Sequence, residues 1–100
     1  MTMMAISFHM SDFFETEFGQ KLKKVLQKTS KRYDGQSVYK VTEDVGDILK
    51  KGDQIYLDGL HKNHLEVFTK NGKLRTVLNL DGNVNWSKLK QALKQGRNLK

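Results

Sequence analysis

The run Gln54-Ile55-Tyr56-Leu57-Asp58-Gly59-Leu60-His61-Lys62-Asn63-His64-Leu65-Glu66-Val67-Phe68-Thr69 decides how this chain folds. Gln54–Asp58 and His64–Thr69 are rich in residues that favour strands, and Gly59 to Asn63 between them reads as a turn. The two strands therefore make a hairpin. Downstream, Lys70-Asn71-Gly72-Lys73 holds the Asn-Gly pair of a second tight turn. Leu74 to Leu80 is the next strand and ends at the turn Asp81-Gly82. Upstream, Ser37–Thr42 alternates as a strand after the turn Tyr33-Asp34-Gly35, and a loop containing Gly46 leads to Gly52.

Residues 12–31 read as a helix. Asp12 is a cap with Glu15 as its capping-box partner, and Phe14, Phe18, Leu22, Val25, Leu26 and Thr29 form one apolar stripe. Acidic residues open this segment and lysines close it, the order that suits a helix dipole. Gly19 is a small cost within it. Asn85 to Gln95 reads as a short helix carrying Trp86, Leu89 and Leu93, with the tryptophan expected in the core. The expected architecture is α+β, an N-terminal helix packed on a twisted antiparallel sheet of about four to five strands. It forms one domain over 1–100, with a helical region over 1–36 and a catalytic sheet and basic C-terminal segment over 37–100.

Charge is unevenly placed along the 100 residues. Residues 1–50 carry eight Lys/Arg against seven Asp/Glu, near +1; residues 51–100 carry ten against four, near +6, giving the net +7. A basic half suggests a polyanionic partner, most simply the phosphates of a nucleic acid. With no cysteine, disulfides, thiolate nucleophiles and Cys-based zinc sites are all excluded. No run of about 20 apolar residues exists to span a membrane. The opening MTMMAISFHM lacks the basic region and cleavage site of a signal peptide.

The 54–69 hairpin also concentrates titratable groups. It holds two of the three histidines, with Asp58 and Glu66 across the turn. A carboxylate and an imidazole so placed can act as base and acid. RNA carries its own nucleophile, the ribose 2′-OH. A base takes its proton, the oxygen attacks the adjacent phosphate, an acid protonates the leaving 5′-oxygen, and a guanidinium steadies the developing charge. That chemistry needs neither metal nor cofactor. His61-x-x-His64 with Glu66 matches no strong zinc spacing, and no metal ligand is assigned. From the residues alone, an inert surface turn and a weak metal site stay open beside this reading.

The segment resembles the C-terminal cytotoxic ribonuclease domain of the ribosome-inactivating colicins and cloacin. The likeness rests on Lys51-Gly52-x-x-Ile55-Tyr56, then Asp58-x-x-His61, then Glu66, then the closing Arg97-Asn98-Leu99-Lys100. It covers the second half of the chain and does not extend into residues 1–36. It implies an enzyme that cuts small-subunit (16S) ribosomal RNA near the decoding site and stops translation. Glu66 would be the base, His61 the acid, Asp58 the group that orients and charge-stabilises His61, and Arg97 the phosphate ligand. It also implies delivery as part of a larger secreted or surface toxin, including contact-dependent inhibition toxins, with action in the target-cell cytoplasm. An acidic immunity protein would be the cognate partner, and a monomer is expected. The chain departs from the family in having one more residue between His61 and Glu66, which admits His64 as a rival acid on the face of Glu66. Tyr56 and Trp86 are candidates to stack on bases, and Lys62, Lys88, Lys90 and Lys94 to touch phosphates. Two other functions fit the same residues: a tRNA-cleaving toxin, and a non-catalytic basic RNA-binding module.

Overall fold

Pairing between neighbours in sequence builds the whole sheet. The computed structural model describes residues 9–33, 35–58 and 64–99. Its strands are β1 (Leu26–Tyr33), β2 (Gln36–Val41), β3 (Gln54–Leu57), β4 (His64–Phe68) and β5 (Leu74–Asn79), hydrogen-bonded in the order β1-β2-β3-β4-β5. Every pairing is antiparallel. Two short helices, α1 (Met10–Phe13) and α2 (Glu17–Lys23), precede the sheet, and α3 (Trp86–Lys94) follows it. The expected α+β architecture, helices on an antiparallel meander, is the one observed.

The period-two alternation of the strands divides the side chains between two faces. Val41, Ile55, Leu57, Leu65, Val67 and Leu78 pack on one face, where Met10, Phe13 and Leu22 of the helices close the main core. Val38, Tyr56 and Phe68 lie on the other, joined by Leu99 and flanked by Tyr33 and Leu74. The second cluster is smaller, and the rest of its face carries the polar groups described below.

The helix expected over 12–31 is corrected. Thr16 starts a new helix, its Oγ1 accepting from the Gly19 amide at 2.9 Å. The cap of α1 is His9, whose amide donates to Asp12 at 2.8 Å, so Asp12 is the third residue of the box rather than its cap. Beyond Lys24 the chain leaves the helix, and Leu26–Tyr33 pairs with β2. A strand there lets Thr29 donate its hydroxyl to the Val38 carbonyl at 2.6 Å. Of the lysines that suited a helix C-terminus, Lys21 and Lys23 do close α2, whereas Lys28 and Lys31 lie on an edge strand, where charge and the irregularity between Lys28 and Arg32 discourage pairing with other chains. Leu26 stays against the main core under either periodicity, which is why the stripe misled. Trp86 is likewise corrected: it is 73% exposed, and Leu93 59%. Ala92 is the buried residue of α3.

Gly19 has a packing reason to be glycine. A Cβ there would lie 1.9 Å from the Phe13 carbonyl oxygen, so the residue lets α2 close against the end of α1. By helix propensity alone, Gly19→Ala would stabilise by about 1 kcal/mol. The contact predicts the reverse, a loss of about 1–3 kcal/mol from overpacking. Urea unfolding of the two proteins checks the sign.

Candidate active site

Hairpin register assembles the site. Tyr56 pairs with Glu66 across β3 and β4, and the Asp58 amide donates to the His64 carbonyl at 3.0 Å. Tyr56, Asp58, His64 and Glu66 therefore share the face opposite the main core. Arg97 arrives from the far end of the sequence. The C-terminal segment lies against the β4–β5 turn, where the Leu99 amide donates to the Gly72 carbonyl at 2.8 Å and Asn98 bridges Lys73. Gly72 has φ +87°, and a Cβ there would lie 2.0 Å from the Leu99 oxygen. The Asn-Gly turn thus makes the hairpin and also seats the tail. With Leu99 in the second cluster, Arg97 is held over β4.

Asp58, His64, Glu66, Lys88, Gln91, Ala92, Gln95 and Arg97 line one pocket of about 180 Å³. Glu66 is 1% exposed and fully partnered. Its Oε1 accepts from the Tyr56 hydroxyl at 2.9 Å, and its Oε2 accepts from Arg97 Nη1. His64 Nε2 stands 3.7 Å from Glu66 Oε2 and 3.3 Å from Asp58 Oδ2, so one imidazole edge faces both carboxylates. Gln95 accepts from Arg97 Nη2 at 2.7 Å and fixes the guanidinium plane.

Two opposing effects set the charge on Glu66. Burial, the largest, raises its pKa, but the neighbouring His64 imidazole, the hydrogen bonds from Arg97 and Tyr56 and the charge of Arg97 together lower it more, so the net direction is down. Tyr56 is pushed well above an ordinary phenol by burial and by the Glu66 charge, which keeps it a donor. Arg97 is raised by its bond to Glu66, against the opposing effect of burial. At neutral pH the pocket thus holds a buried carboxylate and a guanidinium.

The predicted residues are placed unequally. Asp58, Glu66, Arg97, the rival His64 and Lys88 converge on the pocket. Lys90 and Lys94 lie on the exposed part of α3 and do not line it. His61 and Lys62 lie outside the described residues. Tyr56 is corrected: at 1% exposure, with its ring stacked 6.0 Å from Phe68 and tilted against Tyr33 at 4.8 Å, it cannot receive a base. It holds Glu66 instead, a role that the hairpin register between residues 56 and 66 could have signalled. Gln91 and Gln95 were missed because a glutamine on a helix carries no distinguishing pattern.

One ligand atom each from Asp58, His64 and Glu66 lies within 4.8 Å of the others, close enough to consider a cation. Both oxygens of Glu66 are already engaged by Tyr56 and Arg97, and a cation would sit beside the guanidinium. Proton transfer and anion binding fit this donor set better than metal ligation.

Because the folded pKa of Glu66 is depressed, its stabilisation is present above the ordinary glutamate value and is lost as pH falls through the folded value. Tyr56→Phe removes one donor and strands Oε1. The expected result is a loss of about 1–3 kcal/mol at neutral pH and a Glu66 titration moved upward. Carboxyl-carbon NMR titration of both proteins measures that shift, and an unchanged titration would show the hydroxyl to be idle.

No family model, curated protein or solved structure matches this chain, so the pocket is read from its own geometry.

Proposed function

We propose that the protein is a toxin endoribonuclease that cleaves RNA by attack of the ribose 2′-OH without a metal, and that its target is small-subunit (16S) ribosomal RNA near the decoding site. The observation that carries the catalytic part is the pocket itself. Hairpin residues Asp58, His64 and Glu66 meet Arg97, from 31 residues further along, in a cleft whose rim carries Lys88. The ribosomal target is supported by the sequence resemblance alone, as are delivery within a larger toxin and neutralisation by an acidic immunity protein.

The ion pair suggests the order of events. In the free protein Arg97 is bonded to Glu66. A substrate phosphate competes for the guanidinium, which is 29% exposed and within reach of the cleft. As Arg97 turns toward the phosphate, Glu66 loses a donor while its burial remains. Burial is the largest of the effects on it, so its proton affinity rises as substrate arrives. Glu66 then takes the 2′-OH proton, and the oxygen attacks phosphorus. The P–O5′ bond breaks, leaving a 2′,3′-cyclic phosphate. A histidine supplies the proton to the 5′-oxygen. His64 holds that position by geometry, between Asp58 and Glu66, whereas His61 carries the Asp-x-x-His spacing of the resemblance.

Purified protein incubated with intact ribosomes in EDTA is expected to release a short fragment from the 3′ end of the small-subunit RNA. Cut tRNA with intact ribosomal RNA would favour the tRNA-cleaving reading. Activity lost to EDTA and restored by a divalent ion would favour the cation site. Retention of RNA without any cleavage would leave a binding module. Glu66→Gln is expected to reduce cleavage about 10²–10⁴-fold. His61→Ala and His64→Ala, assayed side by side, identify the acid. Full activity without His64 would return the role to His61.

A further inference from the structure

The face of the sheet that carries the pocket continues well beyond it. Along β3, the residues on this face are Gln54 and Tyr56, with Asp58 just past the strand end. Gln54 pairs with Lys40 of β2 and accepts from Lys31 Nζ of β1 at 2.9 Å. On the other side, the stem of Lys70 packs over Gly52, within 3.5 Å of where a Cβ would stand. Lys31, Lys40 and Lys70 thereby converge on a groove of about 480 Å³ that Thr29, Ser30, Gly52 and Gln54 complete. Among the described residues no carboxylate lines it. All three lysines are exposed, and among the described residues no ion pair neutralises them.

We propose that this groove is a second phosphate-binding subsite, which holds the backbone of a single-stranded RNA some nucleotides away from the bond placed in the Asp58–Arg97 pocket. The proposal rests on the ribonuclease reading for what the pocket does, and on its own geometry for where the strand runs. Gln54 to Asp58 is four residues along a strand, about 13 Å at ~3.3 Å per residue. That is about four nucleotides of stacked strand at ~3.4 Å each, and fewer if the chain is extended. Between the two sites lies the aromatic layer of Tyr33 on Tyr56, which carries no cation. Charge at both ends with an uncharged middle suits a strand anchored through its backbone at two points. Three point charges without a guanidinium fork hold phosphates without reading sequence. The groove therefore adds affinity and direction, and base choice lies elsewhere.

The test uses the full chain and an RNA of about ten nucleotides with 2′-O-methyl riboses, which cannot be cut, alongside a dinucleotide that fills the pocket alone. Lys31→Gln, Lys40→Gln and Lys70→Gln are combined in one protein. The control combines Lys21→Gln, Lys23→Gln and Lys24→Gln on and beside α2, equal in charge but on an element of the opposite face. The groove variant is expected to bind the longer RNA at least about 10-fold more weakly, with a salt dependence shallower by about 2 in log–log slope. Its binding of the dinucleotide stays unchanged, and the control stays near wild type. Equal losses in the two triple variants would reduce the effect to net charge and overturn the proposal. So would a groove variant that binds the longer RNA normally. Because binding is read without cleavage, a protein that never cuts RNA yet loses affinity only in the groove variant would fail as a ribonuclease while this subsite stood.

Discussion

Burying one carboxylate in the middle of β4 is the constraint around which the rest of this structure is arranged. An isolated ion at the position of Glu66 would cost several kcal/mol. Two hydrogen-bond donors and a neighbouring imidazole offset that cost, each from a different part of the chain. Tyr56 is set by the register of β3 on β4, His64 by its place two residues earlier on the same face, and Arg97 by the tail seated on Gly72. Loss of any one leaves a buried charge short of a partner. The arrangement ties folding of the C-terminal segment to the integrity of the pocket. It also explains why a chain of this size devotes Leu99 to a second small cluster rather than to the main core.

The two faces of the sheet divide the work. One face is almost wholly aliphatic and is closed by α1 and α2. The other is apolar only around Tyr56, Phe68 and Leu99, and polar at both ends. With α1 and α2 on one face and only the short α3 over one end of the other, the meander leaves much of that second face available. The short helix α3 partly covers β5 and contributes Lys88, Gln91 and Gln95 to the pocket wall. Electrostatically, the open face presents cations at both ends, while the buried Glu66 is paired with Arg97. A polyanion approaching it meets little repulsion.

Local signals were legible in the sequence wherever one interaction dominated. The alternation of Ser37–Thr42, the strand-favouring runs between 54 and 80 and the Asn71-Gly72 turn led to β2 through β5 with ends within a residue or two. Asn85 was read correctly as the start of α3, where its side chain accepts from the Lys88 amide at 3.0 Å. The helix over 12–31 went wrong because two signals coincided: an apolar stripe compatible with both periods around Leu22–Leu26, and a lysine run that suits either a helix end or an edge strand. Only the pairing of β1 with β2, a long-range term, separates them. In the site, the titratable residues of the hairpin pointed to Asp58 and Glu66, and the resemblance pointed to Arg97. Tyr56 was misassigned because burial of an aromatic ring is a property of the sheet face, and the face was not known until the register was. Trp86 failed the opposite way, since a lone aromatic in a helical pattern carries no sign of which side is covered.

The Glu66–Arg97 pair also bears on how such a pocket can exist without acting on every phosphate. A base already bonded to a guanidinium is held ionised and is weak, and the guanidinium it holds is engaged. A lone inorganic phosphate must break that bond using only its own contact with Arg97. A strand held elsewhere on the same face brings its next phosphate to Arg97 at high local concentration, and so competes with Glu66 on better terms. Under the two proposals together, separating the anchor from the reacting centre turns a resting ion pair into a filter for polymers. The same reasoning explains why the exposed end of the pair is the arginine, at 29%, and the buried end the glutamate, at 2%. In the proposed mechanism, the group that moves toward substrate is the one with room to do so, and the group whose proton affinity rises is the one that stays away from water.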